Sequence, residues 1–253
     1  MKPLRHLLLV FAGAAALAAA SLASAAAPAY IASAVANPDR PADDRQRDAL
    51  RKPAEVIAFS GMRPGLTVAD VIPGTGYYDR IFAGVVGPKG HVYGFYPAEL
   101  PNFRKVQLPP QGATPDPKFP NFTAVVAPVN AFALPTQADL VWLSDNYHDL
   151  HDPFFAPADL AKINKAVFQA LKPGGIYLIV DHAADKGSGL RDTNTLHRID
   201  EAAVKAEVEA AGFRLVGESE VLRNPADDHS KKIFDPSIRG QTDQFVLRFR
   251  KPS

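Results

Sequence analysis

From Leu66 onward the apolar positions of the chain switch period repeatedly. Leu66-Thr67-Val68-Ala69-Asp70-Val71 is a short apolar run that turns at Pro73-Gly74-Thr75-Gly76 into an amphipathic stretch from Tyr77 to Val86, ended by Gly87. That succession predicts a strand, a glycine turn and a helix. Short apolar runs at 91–95, 122–126, 140–143 and 176–180 predict further strands, with a helix over 157–171 before the last of them. Leu196, Ile199, Ala203, Val204 and Val208 stand at helical spacing and predict a helix over 196–211, stopped by Gly212. Strands at 213–216 and 245–249 complete the series. In the final one Phe245, Leu247 and Phe249 alternate with Val246, Arg248 and Arg250, the pattern of a strand at an edge or with an antiparallel partner. Strands alternating with helices predict an α/β sandwich of three layers, its mostly parallel sheet covered on both faces.

Ahead of the first strand, 44–50 and 54–59 read as helical pieces with Gly61 as a stop, and 26–42 has no steady period, so it reads as an N-terminal tether or wrapping segment. A single domain is expected over 43–253. Two stretches break the rhythm. Residues 97–120 carry seven prolines, which excludes a regular helix and predicts a draped loop, and 223–242 is a polar loop before the last strand.

Composition narrows the function. Lys plus Arg number 28 against 27 Asp plus Glu, a balance unsuited to nucleic-acid binding through a broad basic face, so a small-molecule substrate is the expected partner. The absence of cysteine excludes disulfides, thiolate zinc sites and cysteine nucleophiles. At the N-terminus Lys2, Arg5 and His6 precede an apolar run from Leu7 to Ala20 and the small-residue site Ala23-Ser24-Ala25. This is the pattern of a signal peptide over 1–25, and it predicts a periplasmic or secreted protein with no stable membrane insertion after cleavage.

Several segments carry a family likeness. Val68 to Tyr78, Asn130-Ala131 before Leu134-Pro135, Ala138 to Leu143 and the Leu-Lys-Pro-Gly-Gly turn within 170–180 resemble, in order and spacing, the successive motifs of class I S-adenosylmethionine-dependent methyltransferases. Asn-Tyr-His-Asp at 146–149, Asp181-His182 and Asp-Asp-His at 227–229 resemble, more narrowly, a group of exported predicted methyltransferases. The resemblance implies a seven-stranded sheet in the order 3-2-1-4-5-7-6 with strand 7 antiparallel, and S-adenosylmethionine as cofactor.

Carried across by position, Asp70 matches the acid that orders the glycine loop and the amino-acid end of the cofactor. Gly74 and Gly76 match two of the loop glycines, while Ile72 stands where another is usual. Pro73, Thr75 and Tyr78 complete the turn that would hold the cofactor. Tyr96 lies about where an acid grips the ribose, with Glu99 three residues on, and Asn130 matches the position that meets the adenine amino group.

In an open parallel sheet ligands bind past the carboxyl ends of the strands, where Ser144 to Asp152 and Asp181-His182 are expected. Methyl transfer to oxygen or nitrogen requires removal of a proton, a role for a histidine. His148 and His182 are the expected bases, with Asp149 beside them and His197 as a third candidate; His151 and His229 read equally as surface residues. Asp145, Asn146 and Asp181 resemble the oxygen ligands by which catechol-type methyltransferases hold magnesium, although no metal ligand is assigned. Trp142 is expected in the core. Two alternatives stay open: a methyltransferase fold that has lost catalysis and binds a nucleoside or other metabolite, and a histidine-aspartate metal site for hydrolysis.

Overall fold

The computed structural model of the protein describes residues 27–102, 105–156 and 158–253, so the leader read at 1–25 lies outside the described residues. Four short helices come first: α1 (Ala29–Val35), α2 (Ala42–Gln46), α3 (Asp48–Arg51) and α4 (Pro53–Ser60). Then follow β1 (Thr67–Val71), α5 (Tyr77–Val86), β2 (His91–Pro97), β3 (Phe122–Ala127), β4 (Ala138–Ser144), α6 (Leu160–Ala170), β5 (Leu171–His182), α7 (Thr193–Leu196), α8 (Glu201–Ala210), β6 (Arg214–Ser219) and β7 (Gln244–Arg250).

The seven strands form one sheet in the order β3-β2-β1-β4-β5-β7-β6. The first five run parallel, and β7 pairs antiparallel with both β5 and β6. This is the order the motifs implied. β1 lies inside the sheet between β2 and β4 with four of its five residues buried, as a strand covered on both faces requires. Register sets Asp70 opposite Gly94 of β2 and Trp142 of β4, which fixes the carboxyl end of β1 between its neighbours.

Trp142 is fully buried, with Tyr78 and Phe82 of α5 at ring-centroid distances of 4.8 and 4.9 Å. These contacts hold α5 against the sheet and hence fix the turn that precedes it. Burial of this ring accounts for about 3–5 kcal/mol by comparison with truncation of buried aromatics. The Leu-Lys-Pro-Gly-Gly turn is a feature of backbone shape: Gly174 takes φ +75°, and a Cβ on Gly175 would sit 2.8 Å from the Lys172 carbonyl oxygen.

Several boundaries differ from the sequence reading. The helix expected over 157–171 begins at Leu160, because Asp159 caps it by accepting the Lys162 N–H at 3.1 Å. The helix expected over 196–211 is broken. His197 takes a left-handed φ of 55°, Ile199 bridges to Ala183, and Asp200 caps a separate helix, α8, by accepting from the Ala202 N–H at 3.0 Å. Of the apolar residues that suggested one helix, Ile199 therefore packs from a bridge, while Val204 and Val208 pack from α8.

The segment read as a tether enters the fold through α1. Ile31 is fully buried, and a Cβ added to Gly84 of α5 would lie 2.9 Å from the Ala34 methyl. Alanine is too small to mark a face in the sequence, yet close helix contact is what it permits. Next to it, buried Arg40 makes two 2.8 Å hydrogen bonds to the Asp48 carboxylate, which also accepts the Tyr77 hydroxyl at 2.6 Å. The proline-rich loop lies against the sheet edge: Gly112 and Ala113 exchange backbone hydrogen bonds with Ala124 of β3. That shields an edge that would otherwise offer unpaired backbone groups. No helix among the described residues is long and apolar enough to cross a membrane.

Candidate active site

A cavity of about 660 Å³ opens past the carboxyl ends of β1, β4 and β5. Its floor is Asp70, the turn from Ile72 to Thr75, Ser144 to Asn146, His148, Asp149 and His182. Arg47, Leu50 and Arg51 from the N-terminal helices form one wall, and Ile233, Phe234, Arg239 and Gly240 from the late loop form the other. Its volume is within the range of small-molecule sites.

The turn after β1 is strained where the sequence departs from the family pattern. Ile72 has φ 59°, a left-handed conformation that costs a β-branched side chain of order 1–3 kcal/mol. Its N–H is held by the Phe95 carbonyl at 2.9 Å, and its side chain is buried. The backbone thus keeps the glycine-like shape without the glycine. Gly74 follows at φ +61° with open space where a Cβ would be, so ligand can approach the backbone closely there.

The late loop is clasped to the sheet by Arg198, which is fully buried. Its guanidinium donates to Asp227 at 3.0 Å and to the carbonyls of Ala183 and Lys231, each at 3.0 Å. Asp227 in turn accepts the Asp243 N–H at 2.7 Å, and Asp243 accepts the Asn224 N–H at 2.8 Å. Residues 228–240 are held between these fastenings and reach over the cavity.

Of the expected cofactor residues, Asp70, Pro73, Gly74, Thr75 and Tyr78 line the cavity. Three do not. Gly76 turns its carbonyl to Arg80 at 2.9 Å, behind the turn. Glu99 spends its carboxylate on the Val129 N–H at 3.0 and 3.2 Å. The Asn130 amide oxygen accepts the Asp159 N–H at 2.9 Å, and the residue borders a separate recess beside α6. Both are occupied in ordering local turns, which the family pattern could not show.

His148, Asp149 and His182 face the cavity as expected, whereas His197 stands behind His148, ring centroids 5.5 Å apart. His148 and His182 differ in charge. Burial acts to lower the pKa of His148, but the carboxylates of Asp181 and Asp149 outweigh it and push it up to about 10. An imidazolium at neutral pH cannot accept a proton, so His148 does not fit the base role. Burial pushes the pKa of His182 down despite Asp145 and Asp181, which leaves a neutral imidazole. Its Nδ1 meets the Thr242 hydroxyl at 2.8 Å, and its Nε2 lies 3.9 Å from Asp145 Oδ1.

The two carboxylates of the oxygen set considered for magnesium are engaged by protein donors. Asp145 accepts from Arg51 at 3.0 Å and Gln244 at 2.7 Å, and Asp181 accepts the His148 and His182 backbone N–H groups at 2.8 Å. Against the effect of burial, Arg51 beside it holds the Asp145 carboxyl below the usual range.

The sequence reading missed Arg47, Arg51, Phe234 and Arg239, which reach the cavity from distant parts of the chain. It also missed Asp79, a carboxyl buried behind Asp70. Burial and the neighbouring Asp79 raise Asp70 well above the usual carboxyl range, and burial raises Asp79 to about 7. A charged residue among Tyr77, Tyr78, Ile81 and Phe82 on the buried side of α5 was the available signal.

Strand order, the antiparallel β7 and a glycine turn opening onto the cavity define the class I S-adenosylmethionine-dependent methyltransferase fold. Solved structures agree on this framework. A SAM-dependent methyltransferase from Aquifex aeolicus superposes with a TM-score of 0.54 at 19% identity, covering 86% of this chain and 97% of that one. The cyclase SpnF superposes with a TM-score of 0.51 at 18% identity, covering 83% and 82%. By sequence, the chain is similar to the ubiquinone/menaquinone biosynthesis C-methyltransferase UbiE of Vibrio cholerae, 26% identical over 198 residues that span 76% of this chain and 70% of that protein. No family model matches the chain.

Proposed function

We propose that the protein transfers a methyl group from S-adenosylmethionine to a small molecule bound in the cavity. The observation that carries this reading is a single 660 Å³ hollow in which the strained turn after β1, the Asp70 carboxyl and a neutral His182 meet. The likeness to a C-methyltransferase supports the same reaction class.

The donor set fits the amino-acid and sulfonium end of the cofactor. Asp70 offers a carboxyl oxygen to an ammonium or sulfonium, the Arg51–Asp145 ion pair borders the same end of the cavity, and the turn 72–75 leaves room for close approach. For the adenosine end, the expected Glu99 and Asn130 are engaged elsewhere. When bound, the cofactor supplies an electrophilic methyl group. His182 is the neutral base placed to take a proton from an oxygen or nitrogen acceptor, and the late loop shields the site from water.

Isothermal calorimetry of the purified protein with S-adenosylmethionine tests the reading, together with mass spectrometry for S-adenosylhomocysteine after incubation with candidate acceptors. Saturable heat would support it; no heat at millimolar cofactor would refute it. With the leader read at 1–25, we also place the reaction outside the cytoplasm. A native protein whose N-terminus is Ala26 supports that placement, and retention of Met1 contradicts it.

A further inference from the structure

Behind the floor of the cavity, two buried imidazole nitrogens without a hydrogen bond of acceptable geometry lie close to one carboxylate oxygen. His148 Nε2 lies 3.3 Å from Asp149 Oδ1, and His197 Nδ1 lies 3.5 Å from the same oxygen. Both ring nitrogens are buried and lack a hydrogen bond of acceptable geometry, although His148 is only 1% exposed. Asp152 is adjacent, with Oδ2 3.9 Å from His197 Nδ1. Leaving such nitrogens unpaired in a protein interior is costly, and two of them beside one carboxylate oxygen call for a common partner.

We propose that His148 Nε2, His197 Nδ1 and Asp149 Oδ1 bind a divalent transition-metal ion, with Asp152 supporting the site from the His197 side. The one ligand atom from each of the three residues lies within 4.8 Å of the other two. Ligands about 2.1 Å from a tetrahedral ion stand roughly 3.4 Å apart, which agrees with the two shortest separations here. Two imidazoles and a carboxylate favour zinc, iron or another ion of that class over magnesium, which prefers oxygen.

The surroundings of the ligands support the assignment. His148 Nδ1 is fixed by Asp181 Oδ1 at 2.7 Å, and the other Asp181 oxygen accepts the His148 backbone N–H. The metal would displace the Nε2 proton of the His148 imidazolium, while the Asp181 carboxylate keeps the proton on the far nitrogen and so leaves Nε2 as the ligand atom. The ring of His197 is flanked by Phe154 and Phe234, centroids 6.3 and 5.0 Å away, and its backbone takes the left-handed φ of 55° that breaks α7 from α8. Two of the three ligand residues, His148 and Asp149, also line the cavity, which sets the cluster directly beside it.

This inference deepens the proposed site but does not depend on methyl transfer, because metal binding is read with no cofactor present. Chelator-treated protein titrated calorimetrically with Zn²⁺ should bind one equivalent, and thermal unfolding should move upward with the metal. Asp149→Asn and His197→Gln should each weaken binding by about a hundredfold or more, as loss of a direct ligand must exceed the effect of outer partners. His151→Gln, outside the cluster, should leave affinity unchanged. Co²⁺ should give the intense visible absorption of a four-coordinate ion in the parent protein and lose it in Asp149→Asn. Absence of saturable Zn²⁺ binding, or binding that survives in both ligand variants, would overturn the site. Calorimetry with S-adenosylmethionine on the chelated protein reports separately on the methyl-transfer reading.

Discussion

Replacing Asp79 with Asn should change how stability depends on pH more than it changes stability itself. Asp79 is buried behind Asp70 and held at about 7 against an ordinary value of 3.8. The folded protein therefore keeps a proton on this pair that the unfolded chain releases. A carboxyl raised in the folded state contributes its full stability below the unfolded pKa and loses it as pH climbs through the folded one. Between pH 5 and pH 8 the loss covers about two pKa units, or about 3 kcal/mol at roughly 1.4 kcal/mol per unit. The amide of Asp79→Asn carries no such proton and is nearly isosteric, so its advantage over the parent should grow by that amount from pH 5 to pH 8. Urea unfolding of both proteins at the two pH values measures the difference. Parallel changes in the two proteins would refute the reasoning and show that the pair is ionised in the folded state.

Three further outcomes follow from the site. Asp70→Ala should weaken S-adenosylmethionine by at least about tenfold, because the carboxyl that accepts from a cationic cofactor is lost, and unchanged calorimetric affinity would place the cofactor elsewhere. His182→Gln should lower kcat by about a hundredfold while cofactor affinity holds, since only proton transfer is removed; a variant with full turnover excludes the base role. Arg198→Met should cost about 3–5 kcal/mol in urea unfolding by leaving Asp227 buried without its partner, and a loss below about 1 kcal/mol would show that the loop is held by other contacts.

The sheet was legible because its strands announce themselves locally. Alternation at Phe245 to Phe249 and the turn at Pro73 to Gly76 depend on neighbours in sequence, and each fell where expected. The N-terminal helix was hidden because Ala34 meets Gly84 through the absence of bulk, which leaves no periodic trace. In the site, residues at strand ends were found because topology places Asp70, His148 and His182 together. Arg51 and Phe234 were not, because they arrive from opposite ends of the chain and only the completed fold sets them across one cavity. His197 was named as a base from its place at a supposed helix start; the left-handed turn there points it at Asp149 instead. Charge was the least legible property: burial lowers both imidazoles, but Asp181 and Asp149 outweigh it and keep 148 cationic, while at 182 burial prevails over Asp145 and Asp181 and leaves it neutral.

The clasp at Arg198 divides the molecule's tolerance to change. On the sheet side of Asp227 and Asp243, hydrogen bonds knit the chain to buried backbone, so altering length there would disturb β7, which follows directly and lies between β5 and β6. Between those two aspartates the polypeptide spans like a strap buckled at both ends, and it overhangs the hollow with Phe234 and Arg239. Within it, rewriting residues 234–240 leaves the anchors at Lys231, Ile233 and Thr242 in place, which makes that stretch the part of the cavity's lining most open to change.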